Sequence, residues 1–301
     1  MFDFIYVFLG TVMRFIYNFV DNFGIAIILF TILVRVCLLP LVFKQQKSMA
    51  HMQKMQPKLQ ELQKKYQYDK DKLNEETMKL YQQYKFNPMS SCLPLFIQMP
   101  ILIAIYGVIQ NPITYILGHP VTEELKAALT VLCQTPTDTQ LNVVAFVSNN
   151  FDKAKELLST ITTTFTAENF VMNFNFFGIN LGYTPSTSVM EHPILWALPV
   201  LAGLTTFLTS YISQKLNAKT QTQEQASQMK SMQLIFPFMT AYFCYILPAA
   251  MGLYWIVGNL IQIIQSLTLD RYIMQKEVDD LDQKEEEKAL LRKELKKKRK
   301  K

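Results

Sequence analysis

Five long apolar runs divide the chain, and the first has the length of a membrane-spanning helix. Segment 24–43, GIAIILFTILVRVCLLPLVF, contains twenty residues and a single charge. An α-helix of this length crosses a hydrocarbon core of about 30 Å. The other runs lie at 91–110, 194–213, 233–247 and 252–269. The pattern predicts five transmembrane helices, with a tight turn joining the last two into a hairpin.

The polar segment 44–90 has helical periodicity. Mostly apolar or aromatic residues occur at spacings of three and four, first at Met52, Met55, Leu59, Leu62 and Tyr66, and then at Leu73, Thr77, Leu80 and Tyr84. This predicts a helical hairpin. Packing of the two helices on each other is the simplest explanation for the leucines and tyrosines. Met49, Met52 and Met55 also predict a soft apolar surface that contacts varied hydrophobic substrates.

Segment 1–23 lacks the basic start and the small-residue cleavage site of a signal peptide. Polar side chains fall on one side of a predicted helix, at Asp3, Thr11, Arg14, Asn18 and Asp21. An amphipathic helix on the outer membrane surface is favoured over an uncleaved anchor.

Segment 111–193 predicts two short helices, at 122–133 and 150–161, and no recognisable chemistry. His51, His119 and His192 are far apart in the sequence, and no metal-ligand or nucleophile–base spacing occurs. No glycine-rich phosphate-binding loop is present. We therefore expect no enzymatic activity, no catalytic residues, no metal and no cofactor.

Composition agrees with a membrane protein. Of 301 residues, 50% are hydrophobic and only 18% are charged, and the mean hydropathy is positive. Three of the four cysteines lie inside apolar runs, which excludes a disulfide framework.

Basic residues predict the orientation. Of the 30 Lys and Arg residues, 25 lie in 44–90, 214–232 and 270–301. Because cytoplasmic loops are enriched in Lys and Arg, we expect the N-terminus outside the cell and the C-terminus in the cytoplasm.

The tail 270–301 becomes strongly basic at its end. Such a run attracts anionic lipid or ribonucleic acid, although a solvated anchor is an equal alternative. The predicted contact residues are Arg292, Lys293, Lys296, Lys297, Lys298 and Arg299.

Arg35 is the single charged residue inside the first span. A guanidinium at the centre of a membrane helix costs about 2.5–3.5 kcal/mol on insertion scales. No Asp or Glu occurs in the five predicted spans. Snorkelling to the inner headgroups is one explanation, and a hydrated cavity is another.

Neutral polar residues in the other spans favour the cavity. On the fifth span, Trp255, Asn259, Gln262 and Ser266 are spaced for one helix face. Ser and Thr in membrane helices also bond their own backbone, which is an equal alternative for the third span. The predicted groove residues are Thr31, Arg35, Gln98, Thr206, Ser210, Trp255, Asn259 and Gln262.

A positively charged cavity attracts negative charge from elsewhere. This leaves a small-anion channel or transporter, a passive assembly chaperone, and an insertase that handles acidic or polar polypeptide segments. We find no repeat relating the two halves of the chain, which disfavours a transporter. The basic hairpin and tail favour a nascent-protein substrate.

The sequence resembles the YidC-type membrane protein insertases, in a Gram-positive-like form. The resemblance rests on NFGIAIILFTILVRVCLLPLVFKQQKSMAHMQKMQPKLQELQKKY, NPMSSCLPLFIQMPILIAIY, FGINLGYTPS, LPVLAGLTTFL and GLYWIVGNLIQIIQ, and covers nearly the whole chain.

The resemblance implies an all-α, polytopic bacterial plasma-membrane protein. Its five transmembrane helices would surround a polar groove that opens to the cytoplasm, with the hairpin below it. Arg35 would correspond to the groove arginine, and Trp255 to an aromatic residue facing it. Expected partners are nascent one- or two-span membrane proteins, the ribosome, the Sec translocon and anionic lipid, with the protein acting as a monomer.

Overall fold

The computed structural model is mostly helical. It describes residues 3–84, 86, 93–119, 121–122, 140–161, 166–188, 190–217 and 223–298. The first four helices are α1 (Asp3–Val20), α2 (Phe23–Lys65), α3 (Lys70–Gln83) and α4 (Leu93–Gln110). Two short helices follow, α5 (Gln140–Asn149) and α6 (Phe151–Ile161), and then strands β1 (Asn175–Phe176) and β2 (Ile179–Asn180). The last four helices are α7 (Ala197–Asn217), α8 (Gln223–Ile246), α9 (Ala249–Gln265) and α10 (Arg271–Lys298).

Within the part of the chain that the structure describes, three helical segments are long and apolar enough to cross a membrane, namely Phe23–Lys65, Pro193–Leu216 and Ala249–Lys284. The other two predicted spans fall on shorter apolar helices, Gln98–Gln110 and Gln233–Ile246. The chain therefore has the composition and helix lengths of a membrane protein with several spans.

Helix α2 does not end where its apolar run ends. It continues without interruption to Lys65, so the first arm of the hairpin is an extension of the first apolar run. The turn to α3 is closed by Asp69, whose side chain accepts a hydrogen bond from the Lys72 backbone N–H at 3.0 Å. This N-cap satisfies a backbone donor that the start of α3 would otherwise leave unpaired.

The region between α4 and α7 differs from the sequence expectations. Helix α6 lies on the predicted segment 150–161, whereas nearly all of 122–133 is outside the described residues. Helix α5 was not predicted, and its apolar residues are largely buried. The region also contains one short β-hairpin that was not predicted, in which β1 and β2 pair in antiparallel register, although the structure remains mostly helical.

The β-hairpin depends on its turn. Phe177 and Gly178 both have positive φ angles, of 49° and 79°. A two-residue turn with two positive φ angles matches the twist of antiparallel strands. Two-residue strands are too short for alternation of polar and apolar positions to reveal them, which explains why the sequence pattern missed this element.

Contacts within the chain separate two compact units. The first contains Met1–Val36, Phe96–Phe207 and Ile235–Ile261. Its core includes the fully buried Phe23, Phe30 and Phe170. Thus the region between α4 and α7 shares one hydrophobic core with the first part of α2.

Helix α1 belongs to this first unit, and one side of it is buried through Met13 and Tyr17. Arg14 was expected on the polar side, but it is half-buried and donates hydrogen bonds to the carbonyl oxygens of Thr114 (3.0 Å) and Tyr115 (3.2 Å). The exposed side carries phenylalanines, at Phe4, Phe8, Phe15 and Phe19. The exposed side of α1 is therefore largely apolar, while Arg14 of the predicted polar side bonds to the rest of the first unit.

The second unit contains Cys37–Leu95, Leu208–Leu234 and Gln262–Lys301. The hairpin of α2 and α3 has a small core of its own, formed by Met52, Met55, Leu59, Leu80 and Phe86. Partial burial in this region raises the pKa of the Tyr81 hydroxyl above its ordinary value.

Candidate functional site

Arg35 lies against the backbone of α9. A β-carbon placed on Gly258 would be 3.2 Å from Arg35 Nη2 and 4.0 Å from the Thr31 methyl carbon. The absence of a side chain at position 258 therefore leaves room for the guanidinium beside α9. The Thr31 hydroxyl is buried and donates to the Ile27 carbonyl oxygen at 2.6 Å. Thr31 is thus near Arg35, but its hydroxyl bonds its own helix, as is common for threonine in membrane helices.

Tyr254 connects Arg35 to Gln98. The Gln98 side-chain amide donates to the Tyr254 hydroxyl at 3.1 Å. Tyr254 is buried, and its hydroxyl is close enough to Arg35 for the two groups to interact electrostatically. The Tyr254 hydroxyl accepts the hydrogen bond from Gln98 and can donate its own proton, so it offers both a donor and an acceptor near the guanidinium. Residues from α2, α4 and α9 consequently form one polar cluster within the first unit.

A second polar contact joins α7 and α9. The Asn259 side-chain amide donates to Thr206 Oγ1 at 2.9 Å and to Thr205 Oγ1 at 3.1 Å. Thr205 in turn donates to the Leu201 carbonyl oxygen at 2.8 Å. Asn259 directly follows Gly258, so the two polar contacts of α9 are adjacent along the helix.

Trp255 is half-buried and stacks on Phe243, with ring centroids 6.5 Å apart and an interplanar angle of 14°. The aromatic residue of α9 that interacts electrostatically with Arg35 is Tyr254. The structure thus places Trp255 in an aromatic contact between α8 and α9.

The remaining groove candidates, Gln262 and Ser210, belong to the second unit and are half-buried. Gln262 donates to Ser266 Oγ at 3.3 Å, and Ser266 donates to Asp270 Oδ2 at 3.1 Å. These bonds continue the polar stripe of α9 along the same helical stretch. Ser266 and Asp270 are buried, and sequence reasoning did not assign Asp270 to the stripe.

The methionines of the hairpin are less accessible than the sequence suggested. Met55 is completely buried and Met52 is 9% exposed, whereas Met49 is half-buried. The first two fill the space between α2 and α3. Of these three methionines, therefore, Met49 is the one that offers part of its side chain to a partner.

The basic tail residues Arg292, Lys293, Lys296, Lys297 and Lys298 lie on the final part of helix α10, and Arg299 is outside the described residues. In the part of the chain that the structure describes, no group of three His, Cys, Asp or Glu side chains is arranged to hold a metal ion.

Sequence reasoning missed two residues of the Arg35 cluster, Tyr254 and Gly258. A signal for both was present, because positions 254 and 258 are one helical turn apart and therefore share a face. That face was overlooked because tyrosine and glycine are common in apolar helices, whereas asparagine and glutamine are not.

Comparison with known proteins identifies the family of this chain. A family model described as 60Kd inner membrane protein matches residues 15–277. The membrane protein insertase YidC of Fusobacterium nucleatum subsp. nucleatum is 32% identical over 248 residues, which cover 82% of this chain and 86% of that protein. Membrane protein insertase YidC 2 of Listeria innocua serovar 6a is 34% identical over 253 residues, covering 83% of this chain and 64% of the relative. The match extends over both helices that contribute Arg35 and Gly258. The chain therefore belongs to the 60Kd inner membrane protein family, the YidC family of multi-pass bacterial membrane proteins.

Proposed function

We propose that this protein inserts small membrane proteins into the bacterial plasma membrane. Its relatives from Fusobacterium nucleatum and Listeria innocua are named membrane protein insertases, and the similarity covers more than four fifths of the chain. The observation that carries the proposal beyond the family name is the Arg35 cluster, a cation among the neutral polar groups of three apolar helices.

The proposed first step is capture of a polar substrate tail. A fixed positive charge in a medium of low dielectric attracts a carboxylate more strongly than the same charge in water. Gln98, Tyr254 and Asn259 add groups that exchange hydrogen bonds with a polypeptide backbone. A groove built from these residues would be hydrated and would shorten the path of the tail through the bilayer. We propose that Thr206, Ser210, Trp255 and Gln262 line it as well.

The proposed second step is sideways release of the apolar substrate helix. Helix α7 presents Val200, Leu201 and Leu204 on its exposed surface, with exposed fractions of 54%, 46% and 59%. These side chains match the apolarity of a substrate helix and of lipid chains. Burial of apolar substrate surface in lipid would supply the driving force, and the membrane potential would assist acidic tails.

The proposal extends to orientation and partners. We propose that the N-terminus is outside and the C-terminus is cytoplasmic, that Met49 of the hairpin contacts substrate, and that the basic end of α10 contacts the ribosome or anionic lipid. We further propose that the protein acts as a monomer and cooperates with the Sec translocon on some substrates.

Replacement of Arg35 tests the mechanism. In proteoliposomes, we expect Arg35→Ala to reduce insertion of a single-span substrate with an acidic tail about tenfold, because loss of about 1.4 kcal/mol of attraction changes a rate by that factor. Arg35→Lys should retain most activity. A substrate whose tail acids are changed to amides should respond much less.

Arg271→Ala is the matched control, because Arg271 is an exposed arginine at the start of α10. Full insertion of the acidic-tailed substrate by Arg35→Ala would contradict the attraction mechanism. Flux of small anions through the same vesicles, without insertion, would instead identify an anion channel or transporter.

A further inference from the structure

The part of α2 that forms the hairpin carries three basic side chains on one face. Lys47, His51 and Lys54 are spaced by four and three residues, which places them on one side of a helix. We call these three residues the basic hairpin face. They do not take part in the Arg35 cluster described above, and they belong to the second unit.

Acidic residues of α10 contact this face directly. Lys47 Nζ is 3.2 Å from Glu277 Oε2, and His51 Nε2 is 3.8 Å from Glu277 Oε1. Lys54 forms an ion pair with Asp282. The pairs follow the same order along both helices, so the two helices run in the same direction where they meet.

Each of the two lysine pairs has one member that is largely shielded from water. The Glu277 side chain is 16% exposed beside Lys47 at 59%, and the Lys54 side chain is 19% exposed beside Asp282 at 53%. A carboxylate at this depth is stabilised only while cations compensate for its lost hydration. Conversely, the lysines on the basic hairpin face favour an acidic neighbour. The face is thus complementary to a short acidic segment of polypeptide, and α10 supplies such a segment from within the chain.

His51 is oriented for this contact. Its Nδ1 lies 3.1 Å from the Tyr84 carbonyl oxygen, which can only accept a hydrogen bond. Nδ1 therefore carries a proton, and Nε2 faces the carboxylate of Glu277. This contact is an ion pair only when the imidazole is protonated. The bond to Tyr84 also ties the basic hairpin face to the end of α3.

We propose that the basic hairpin face is a docking site for acidic segments of substrate polypeptides, and that Glu277 and Asp282 occupy it as an internal competitor. Exchange of one carboxylate for another preserves the number of ion pairs, so an acidic substrate segment displaces α10 at little electrostatic cost. The hairpin is then released from α10 when a suitable segment is present. That the acidic segment belongs to a substrate rests on the proposed insertase function. That the face binds acidic segments does not depend on it.

A peptide-binding experiment on the purified full chain in detergent tests the site. The probe is a short fluorescein-labelled peptide alternating Glu and Gly, with a Gln and Gly peptide for comparison. We expect the double variant Glu277→Gln, Asp282→Asn to bind the acidic peptide about tenfold more tightly than the native chain, because removal of a competitor raises the fraction of open sites. Fluorescence anisotropy at low salt measures the affinity.

Further variants locate the binding. Adding Lys47→Gln and Lys54→Gln to the double variant should abolish the gain. Glu75→Gln is the matched control, since Glu75 pairs with Lys79 within α3 in an exposed position and should have no effect. Equal affinity of native and double variant would overturn the proposal. So would tight binding that survives loss of both lysines, because the peptide would then be bound elsewhere, such as the basic end of α10.

A distance measurement tests the competition. Spin labels at Gln60 and Gln283, in a chain whose native cysteines are replaced, report the separation of α2 and α10. We expect a narrow distribution for the native sequence and a broad one for the double variant or after addition of acidic peptide. Lys54→Glu alone or Asp282→Lys alone should broaden the distribution, because each change places like charges opposite each other. The double exchange Lys54→Glu with Asp282→Lys should make it narrow again. An unchanged distribution in every case would overturn the proposal while leaving insertion, measured separately, intact.

Discussion

The guanidinium of Arg35 lies where a side chain at position 258 would compete with it for space. Tyr254 and Gln98 complete its polar surroundings through a hydrogen bond of 3.1 Å. The sequence alone reveals this charge, because Arg35 is the one charged residue in an apolar run. Its position, however, depends on a glycine whose role becomes visible only when α2 and α9 are seen together. At the residue scale, accommodation of Arg35 is therefore a steric matter as well as an electrostatic one.

Substitution of Gly258 tests this steric role. The β-carbon of Gly258→Ala would be 3.2 Å from the movable end of Arg35, so a small shift of the guanidinium accommodates it. A leucine would displace the guanidinium from α9. We expect insertion of an acidic-tailed substrate to fall less than about twofold for Gly258→Ala and about tenfold for Gly258→Leu. Similar activity of both variants, at equal amounts of folded protein, would argue against the steric role.

At the element scale, single side chains join helices that are distant in sequence. Asn259 connects α9 to α7 through two threonines, while Arg14 joins α1 to a short π-helix that follows α4, Ile113–Leu117. Polar groups in apolar surroundings seek such partners because an unsatisfied amide is costly there. These contacts select the neighbours of a helix more specifically than apolar packing alone.

Replacement of Asn259 by leucine should weaken the association of α7 and α9. Hydrogen bonds between membrane helices contribute about 0.6 kcal/mol on average and up to about 1.7 kcal/mol. We expect Asn259→Leu to lower the free energy of unfolding by about 1 kcal/mol, measured by circular dichroism during unfolding in mixed micelles. Thr268→Val is the control, since the Thr268 hydroxyl bonds the Ile264 carbonyl of its own helix. Equal destabilisation by both variants would refute a special contribution of Asn259.

At the scale of the whole molecule, long helices extend the apolar segments into strongly charged ones. Helix α2 continues from its apolar run into the hairpin, and α10 follows α9 after a short π-helical stretch, Ser266–Asp270. Of 30 basic residues, 25 lie in three segments that follow or connect the apolar runs. Such an uneven distribution determines the orientation in which a multi-pass protein is inserted.

Labelling of single cysteines tests this orientation. In a chain whose native cysteines are replaced, we expect Lys153→Cys to react with a membrane-impermeant maleimide on intact cells from which any outer barrier has been removed. Lys284→Cys should react only after permeabilisation. Both lysines are in described helices, α6 and α10, so helix formation alone does not distinguish them. The reverse pattern would show that the orientation proposed from the basic residues is wrong.

Several features could be predicted from the sequence because they depend on neighbours along the chain. Long apolar runs indicate membrane helices, and the spacing of Leu59 and Leu80 with their apolar neighbours indicates a hairpin that packs on itself. The same local logic identified Arg35 as the unusual residue. This reasoning missed the hairpin of β1 and β2, because strands of two residues are too short to show an alternation of polar and apolar positions.

Only the tertiary structure decided which side chains meet. Helical periodicity assigns a residue to a face but does not reveal what packs against that face, because the partner comes from a distant part of the chain. The meeting of Gln98 with Tyr254, and that of Glu277 with Lys47, could therefore not be read from spacing. The burial of Met55 could not be predicted for the same reason. Met55 is covered by α3, and the apolar pattern does not determine the geometry of the turn that precedes α3.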